Sequence, residues 1–185
     1  MLARLLAPYG RATQALDRTA PALLPLLARL VFAGVLLRYF WGSAATKLDG
    51  LLTPSLGAYA QIFPRQMEAA GYDVSQFGAF HWLVVMGGAY AEYVLPLLIV
   101  VGLFTRLAAL GMIGFTLVQS LTDIIGHHAD TTTIGAWFDR ASDALILDQR
   151  AFWVLLFLTL VGFGAGAFSL DGLLKRRGQA TPKAA

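Results

Sequence analysis

The chain contains no cysteine among its 185 residues. It therefore cannot form a disulfide, and its own side chains cannot hold an iron–sulfur cluster or a covalently attached c-type haem. Redox chemistry would require a bound cofactor, a quinone or a partner protein. Because the chain supplies no redox centre of its own, the sequence leaves open whether it is an enzyme.

Charged residues are also scarce, at 14% of the chain against about 25% in a typical soluble domain. Each of four apolar segments approaches the roughly 20 residues that a membrane-spanning helix needs. They lie at 24–44, 79–104, 106–125 and 151–169. The apolar runs are continuous rather than alternating, which favours helices over a barrel. We expect an all-α protein, a bundle of four transmembrane helices.

The remaining residues form two tails and two larger loops. We predict one membrane domain at 21–174, preceded by a basic tail at 1–20 and followed by another at 175–185. The first tail lacks the features of a cleaved signal peptide, and a short amphipathic helix on anionic lipid is one form it could take. Basic residues that flank membrane spans indicate lipid contacts rather than nucleic-acid binding.

The distribution of positive charge predicts the orientation. The tails and the turn between spans two and three hold Arg4, Arg11, Arg18, Arg106, Lys175, Arg176, Arg177 and Lys183. The loops at 45–78 and 126–150 hold few basic residues among many acidic ones. Because positive residues favour the cytoplasmic side, both termini should be cytoplasmic, in a multi-pass protein of the bacterial inner membrane.

Glu92 is the strongest single signal for a functional site. It is the one charged residue in the apolar segment 79–104 and lies near its middle. A carboxylate at that depth is costly unless it meets a partner or water, and such residues commonly mark functional sites. The search for a site therefore becomes a search for what Glu92 contacts.

Arg38 in span one is the predicted partner. At 1.5 Å per residue, Glu92 lies roughly 17 Å and Arg38 roughly 21 Å above the cytoplasmic ends of their spans. Arg29 lies on the opposite face of span one, where we expect it to extend towards lipid headgroups. An Arg38–Glu92 ion pair could form the closed end of a cavity that opens outward.

Further polar side chains would line this cavity. Thr116, Gln119, Ser120, Asp123 and His127 follow helical spacing in span three, and His81 shares a face with Glu92 in span two. We take Glu92, Arg38 and Asp123 as a candidate proton relay. The candidate ligand-binding residues are Gln119, Trp82, Tyr93, His81 and His127. Interfacial aromatic belts account for Trp82 and Tyr93, although Trp82, with Trp41 and Trp137, could also wall a ring-shaped ligand.

Structural explanations stand beside these functional ones. A buried ion pair can fix helix register, polar stripes can hold helices together, and Asp123 can be a solvated helix end. His81 and His127 could hold haem b or a metal, but their spacing is not specific for either. We therefore predict no metal site and no tightly bound cofactor, with a quinone as the candidate ligand.

Three stretches resemble the DoxX-like family of membrane proteins. The string EYVLPLLIVVGLFTRLAALGMIGFTLVQ, from Glu92 to Gln119, resembles the family's central hairpin with its Gly-x-x-Thr-Arg turn. The ending GFGAGAFSLDGLL resembles a Gly-rich fourth helix followed by Ser-Leu-Asp, and Trp41 to Lys47 resembles the exit of the first helix. The resemblance covers roughly 25–174. Around Gly164, Phe163 and Ala165 replace a common Gly-Pro-Gly.

The resemblance implies a four-helix membrane protein linked to quinone-coupled oxidoreductases and to membrane redox complexes that respond to oxidative stress. In that reading the chain is a quinone- or quinol-interacting subunit, with a membrane or periplasmic redox partner. Some DoxX-like proteins instead accompany small secreted or metal-binding peptide systems. The alternative is therefore a non-enzymatic assembly or export partner. Either kind of protein could be a homo-oligomer.

The first prediction concerns topology. Reporter tags at either terminus should be cytoplasmic and a tag near Pro54 external, because the positive residues are so unevenly divided. Accessibility of each tag to a membrane-impermeant label, before and after lysis, measures this. A C-terminus labelled in intact cells would contradict the orientation.

Overall fold

A computed structural model describes residues 2–180, with side chains for residues 8–178. The helices are α1 (Leu2–Val35), α2 (Leu37–Ala45), α3 (Leu56–Ile62), α4 (Pro64–Ala69), α5 (Ala79–Val101), α6 (Thr105–Leu121), α7 (Thr131–Ile134), α8 (Arg150–Phe163) and α9 (Leu170–Ala180). A small antiparallel hairpin pairs β1 (Leu48–Gly50) with β2 (Thr53–Pro54). π-helical turns at Thr122–Gly126 and Leu145–Gln149 extend α6 and α8.

Four helices among the described residues are long and apolar enough to cross a membrane. They are Pro8–Val35, Ala79–Val101, Thr105–Gly126 and Leu145–Phe163. The prediction of an all-α, four-helix membrane protein is therefore confirmed. The first span begins within a continuous helix that starts at Leu2, so α1 includes residues of the predicted basic tail.

Aromatic side chains fill the centre of the bundle. Phe32, Phe40 and Phe157 are fully buried, and the rings of Phe32 and Phe157 meet edge-on with centroids 5.8 Å apart. The small residues Ala108 and Ala109 on α6 let this helix approach the aromatic cluster closely. The phase of these buried residues determines which face of each span points inward.

Residues 46–78 form a layer that covers one end of the bundle, hereafter the loop layer. Its helices α3 and α4 bury Tyr59 and Met67 against Val85 of α5. The hairpin between β1 and β2 lies along the same helix, where Tyr90 donates a hydrogen bond to the Leu51 carbonyl. The loop layer thus reaches along α5 as far as Tyr90, two residues before Glu92.

Arg29 lies at the opposite end of the bundle, hereafter the tail end, and its side chain is buried there. Its guanidinium donates hydrogen bonds to the carbonyls of Ile99 and Val100 at the end of α5, at 2.9 and 2.6 Å. It also donates to the carbonyls of Ala165 and Phe168, at 3.1 and 2.6 Å. The expectation that Arg29 extends into headgroups is therefore wrong, because helix-end carbonyls lack partners and attract the cation inward.

Asp171 closes the same end. Its carboxylate accepts hydrogen bonds from the backbone N–H groups of Phe104 and Thr105, at 2.9 and 3.0 Å, and so caps the start of α6. The fourth span ends at Phe163 rather than at residue 169, because Gly164 and Gly166 turn with φ of 75° and 76°. The Gly-rich segment therefore forms a turn that carries Asp171 back to α6.

The second prediction concerns Arg29. Arg29→Met should lower the free energy of unfolding by at least about 3 kcal/mol, because it removes charge-assisted hydrogen bonds and leaves buried carbonyls unsatisfied. Unfolding by denaturant in detergent micelles measures the change. Arg18→Met, which removes an exposed arginine from the same helix, is the matched control and should have little effect. Equal small effects of both substitutions would contradict the prediction.

Candidate functional site: a buried ion pair beside a crevice

Glu92 forms a buried ion pair with Lys47. The Lys47 ammonium donates hydrogen bonds to both carboxylate oxygens, at 2.9 Å to Oε1 and 2.7 Å to Oε2. The exposed fraction is 1% for Glu92 and 5% for Lys47, so neither charge meets bulk solvent. Such a pair is stable only when its geometry is good and its remaining polar atoms are satisfied.

Ser43 completes the pair. Its hydroxyl donates a hydrogen bond to Glu92 Oε1 at 3.1 Å and accepts one from Lys47 at 2.6 Å. Ser43 lies in the last turn of α2, and Lys47 follows four residues later, which places both side chains on the same face. Backbone hydrogen bonds from Lys47 to Ala44 and from Ser55 to Lys47 fix the ammonium beneath the loop layer.

Arg38 does not reach Glu92, and the predicted Arg38–Glu92 pair is wrong. Arg38 is exposed, while Phe40, two residues later, is fully buried. At 100° per residue the two side chains point about 160° apart, so Arg38 faces outward. The depth argument that suggested Arg38 carried no information about which face of the helix this residue occupies.

A crevice of about 120 Å³ lies between α5 and α6, with Glu92 and Lys47 in its wall. Gln119 and Asp123 on α6 line the same space, and Gln61 of the loop layer lies beside them. The structure therefore brings together three of the predicted site residues, namely Glu92, Gln119 and Asp123. The cation that pairs with Glu92 is Lys47 and not the predicted Arg38.

Asp123 and Gln119 are each held by a second contact. Arg150 at the start of α8 donates a hydrogen bond to Asp123 at 2.6 Å and to the Ser120 hydroxyl at 3.0 Å. Gln119 donates its amide N–H to the hydroxyl of Tyr39 at 2.9 Å, and its carbonyl oxygen is buried without a hydrogen bond from any described residue. Asp123 is thus an ion-pair member, not simply a solvated helix end.

The other predicted ligand residues lie outside the crevice. His81 is hydrogen-bonded to Gln66 at 2.8 Å, and His127 to the carbonyl of Gln61 at 2.8 Å. The Trp82 indole donates to the Leu52 carbonyl of the hairpin. Tyr93 accepts at its backbone carbonyl from Trp41, whose ring lies 6.4 Å from the tyrosine ring. His81, Trp82 and Tyr93 thus connect α5 to the loop layer and to α2, whereas His127 connects the end of α6 to the loop layer.

The described residues contain no group of three or more His, Asp or Glu side chains placed to hold a metal ion. The histidines at 81 and 127 each have a protein hydrogen-bond partner instead. The predicted lack of a metal or haem site stays a prediction.

Sequence reasoning missed Lys47, Ser43, Arg29 and Arg150 as members of polar networks. Lys47 was counted as a loop residue because it follows the first apolar segment. The detectable signal was its position four residues after Ser43, which predicts a shared face as the helix ends. Arg150 similarly stands at the start of an apolar run, where its side chain can fold back towards α6.

Four apolar helices closed by polar networks at both ends define a multi-pass integral membrane protein. A model of the DoxX family matches residues 24–128, which is more than half of the chain. The chain therefore belongs to the DoxX family, as the resemblance indicated. The matched region includes Lys47, Glu92, Gln119 and Asp123. No curated protein and no solved structure matches the chain.

The third prediction is a double-mutant cycle. Glu92→Gln and Lys47→Met should each lower the free energy of unfolding by about 3–5 kcal/mol, because each leaves a buried charge unpaired. The double variant should recover much of that loss. Unfolding in detergent by denaturant or heat measures all four proteins.

Arg38→Met provides the matched control for this cycle. Because Arg38 is exposed and distant from the pair, its effect should add to that of Glu92→Gln. Strong coupling of Arg38 with Glu92, or simple additivity of Lys47 with Glu92, would contradict the observed pairing.

Proposed function

We propose that this DoxX-family protein binds the ring of a quinone or quinol in the crevice between α5 and α6. The proposal is based on the residues that line this crevice. Its inner wall holds the Glu92–Lys47 pair, and its outer wall includes Val84 and Val118, which are 36% and 63% exposed on the apolar surface of the bundle. A lipid-soluble molecule could therefore enter sideways from the membrane.

The volume of the crevice limits the size of what it holds. A cavity of about 150 Å³ suffices for benzene, and the crevice measures about 120 Å³. One six-membered ring is therefore the upper limit of what the crevice can hold, with no room for the tail of a quinone. The tail would leave between Val84 and Val118 and lie along the helices in lipid. A molecule with a polar ring and an apolar chain can place the ring in the crevice and the chain in lipid, whereas a water-soluble substrate has no such chain.

The polar groups fit the two oxidation states of the ring. Lys47 already donates to both Glu92 oxygens and to Ser43, so it can donate to a quinone oxygen when it exchanges one of these three bonds. The unpartnered carbonyl of Gln119 can accept a hydrogen bond from a quinol hydroxyl. Oxidation of a quinol releases two protons and two electrons. We assign both protons in turn to Glu92, which lies beside Lys47: Glu92 passes the first proton to Asp123 in the same crevice and then accepts the second.

The two electrons require a redox partner of this chain, in the membrane or on its outer side. The proposal accordingly describes a quinone-interacting subunit of a membrane redox system, in the bacterial inner membrane with both termini cytoplasmic. Arg150 holds the Asp123 carboxylate in the wall of the crevice by a hydrogen bond at 2.6 Å, where Asp123 would receive the proton from Glu92. Asp123 lies in the π-helical turn Thr122–Gly126, which leads into the second loop and would give the proton a route to water.

The fourth prediction tests access to the crevice. Val118→Trp should weaken binding of a short-tailed quinone, because the larger side chain fills the opening beside Glu92. Leu117→Trp changes the neighbouring residue, which is similarly exposed but does not line the crevice, and should leave binding unchanged. Quenching of intrinsic tryptophan fluorescence, with each variant calibrated against its own ligand-free spectrum, measures both.

Glu92→Gln/Lys47→Met, which keeps the fold but removes the charges, should also lose binding. If quinone binds all variants alike, or binds none including the parent chain, the quinone proposal fails. The alternative role as a non-enzymatic assembly or export partner would then be favoured, with the charges serving only to hold the bundle.

A further inference from the structure

Arg38 is a charged residue on an apolar outer surface. It is exposed, and it makes no hydrogen bond or ion pair with any residue in the described part of the chain. Its neighbours on the same face of span one are Leu27, Val31 and Val35, which are 53%, 53% and 64% exposed. In a membrane protein this face contacts hydrocarbon, where an unpaired arginine is unfavourable.

The depth of Arg38 makes escape to either surface difficult. It lies nine residues beyond Arg29, or about 14 Å along the helix, and Arg29 marks the tail end of the bundle. It lies seven residues before Ala45, or about 10 Å from the end of α2 beneath the loop layer. Arg38 is therefore far from both ends of its helix, and an intramembrane cation there needs a negative partner.

The surface around Arg38 is shaped for close helix contact. Gly34 and Gly42 stand one turn before and one turn after it, and a Cβ added at either would meet no atom within 4 Å. Both glycines are exposed. The two glycines are eight residues apart, and small residues on a helix surface let a second helix approach the backbone closely. The charge and the open glycine surface are independent observations on one face.

We propose that this face of span one, the Arg38 face, binds a transmembrane helix of another protein that carries an aspartate or glutamate at mid-depth. The carboxylate would pair with Arg38, and the two helices would pack along Gly34 and Gly42. Charge complementarity selects this occupant. The inference is independent of the quinone proposal, because Arg38 lies outside the crevice.

A second copy of the chain does not supply that carboxylate. Glu92 and Asp123, the carboxylates within spans two and three, are already paired with Lys47 and Arg150. A symmetric dimer through this face would place Arg38 opposite Arg38, because copies with the same orientation contact through identical residues. Like charges in hydrocarbon would repel, so a homodimer through the Arg38 face is disfavoured.

The test uses a synthetic transmembrane peptide of about 20 leucine and alanine residues with one central glutamate. A second peptide has glutamine in its place. Energy transfer between labelled peptide and full-length protein is measured in phosphatidylcholine vesicles. The glutamate peptide should bind about tenfold more tightly than the glutamine peptide, because only it forms the charge pair.

Arg38→Leu should abolish this preference, whereas Arg106→Leu, which removes an exposed arginine at the tail end, should preserve it. Gly34→Ile retains the charge and should weaken both peptides by blocking close approach. An unchanged preference in Arg38→Leu overturns the proposal. The proposal is also overturned if phosphatidylglycerol in the vesicles abolishes peptide binding to the parent chain but not to Arg38→Leu. A lipid phosphate would then occupy the Arg38 site.

Photo-crosslinking in native membranes gives a second measurement that does not depend on the folding of Arg38→Leu. A photoreactive side chain at Val35 should crosslink a transmembrane segment with a carboxylate within one turn of the crosslinked residue. The same group at Leu155, on the outer face of α8 and 60% exposed, is the control and should not capture that segment. Crosslinks at Val35 to lipid alone, to a second copy of this chain, or to a segment without a carboxylate would refute the proposal.

Discussion

The ion pair between Lys47 and Glu92 connects the loop layer to the membrane helices. Glu92 belongs to α5, which the loop layer covers up to Tyr90, while Lys47 lies in the turn between α2 and β1. Their contact at 2.7 Å therefore sets where the chain leaves the first span and begins the hairpin. The position of every loop-layer element beside the crevice depends on that exit point.

The tail end is held by different chemistry. There Arg29 and Asp171 each form hydrogen bonds with backbone groups, the guanidinium with carbonyls and the carboxylate with N–H groups. Helix ends at membrane depth present unsatisfied backbone atoms that lipid cannot solvate. Arg29 and Asp171 supply hydrogen-bond partners for such backbone atoms in α5, α6 and the turn after α8. Apolar packing around Phe32 and Phe157 connects the two ends.

The fold could be predicted from the sequence, because a long apolar run in a membrane has few stable conformations other than a spanning helix. The site was only partly accessible. Glu92, Gln119 and Asp123 share the crevice as spacing predicted, since all three lie within helices whose phase can be counted. The partner of Glu92 was missed because Lys47 lies just beyond a helix, where position depends on a turn. For Arg38, helix height was predictable but helix rotation was not, because aromatic packing of Phe40 determines it.

The Asp171 cap also determines how far the family region can stand alone. The matched segment ends at residue 128, before the fourth span. Yet the amides of Phe104 and Thr105, inside that segment, depend on a carboxylate more than sixty residues downstream. Two of the carbonyls that hold Arg29 also come from beyond it. The matched segment therefore depends on partners outside it, and any excision of the first three spans that keeps these hydrogen bonds would have to include the fourth span and Asp171.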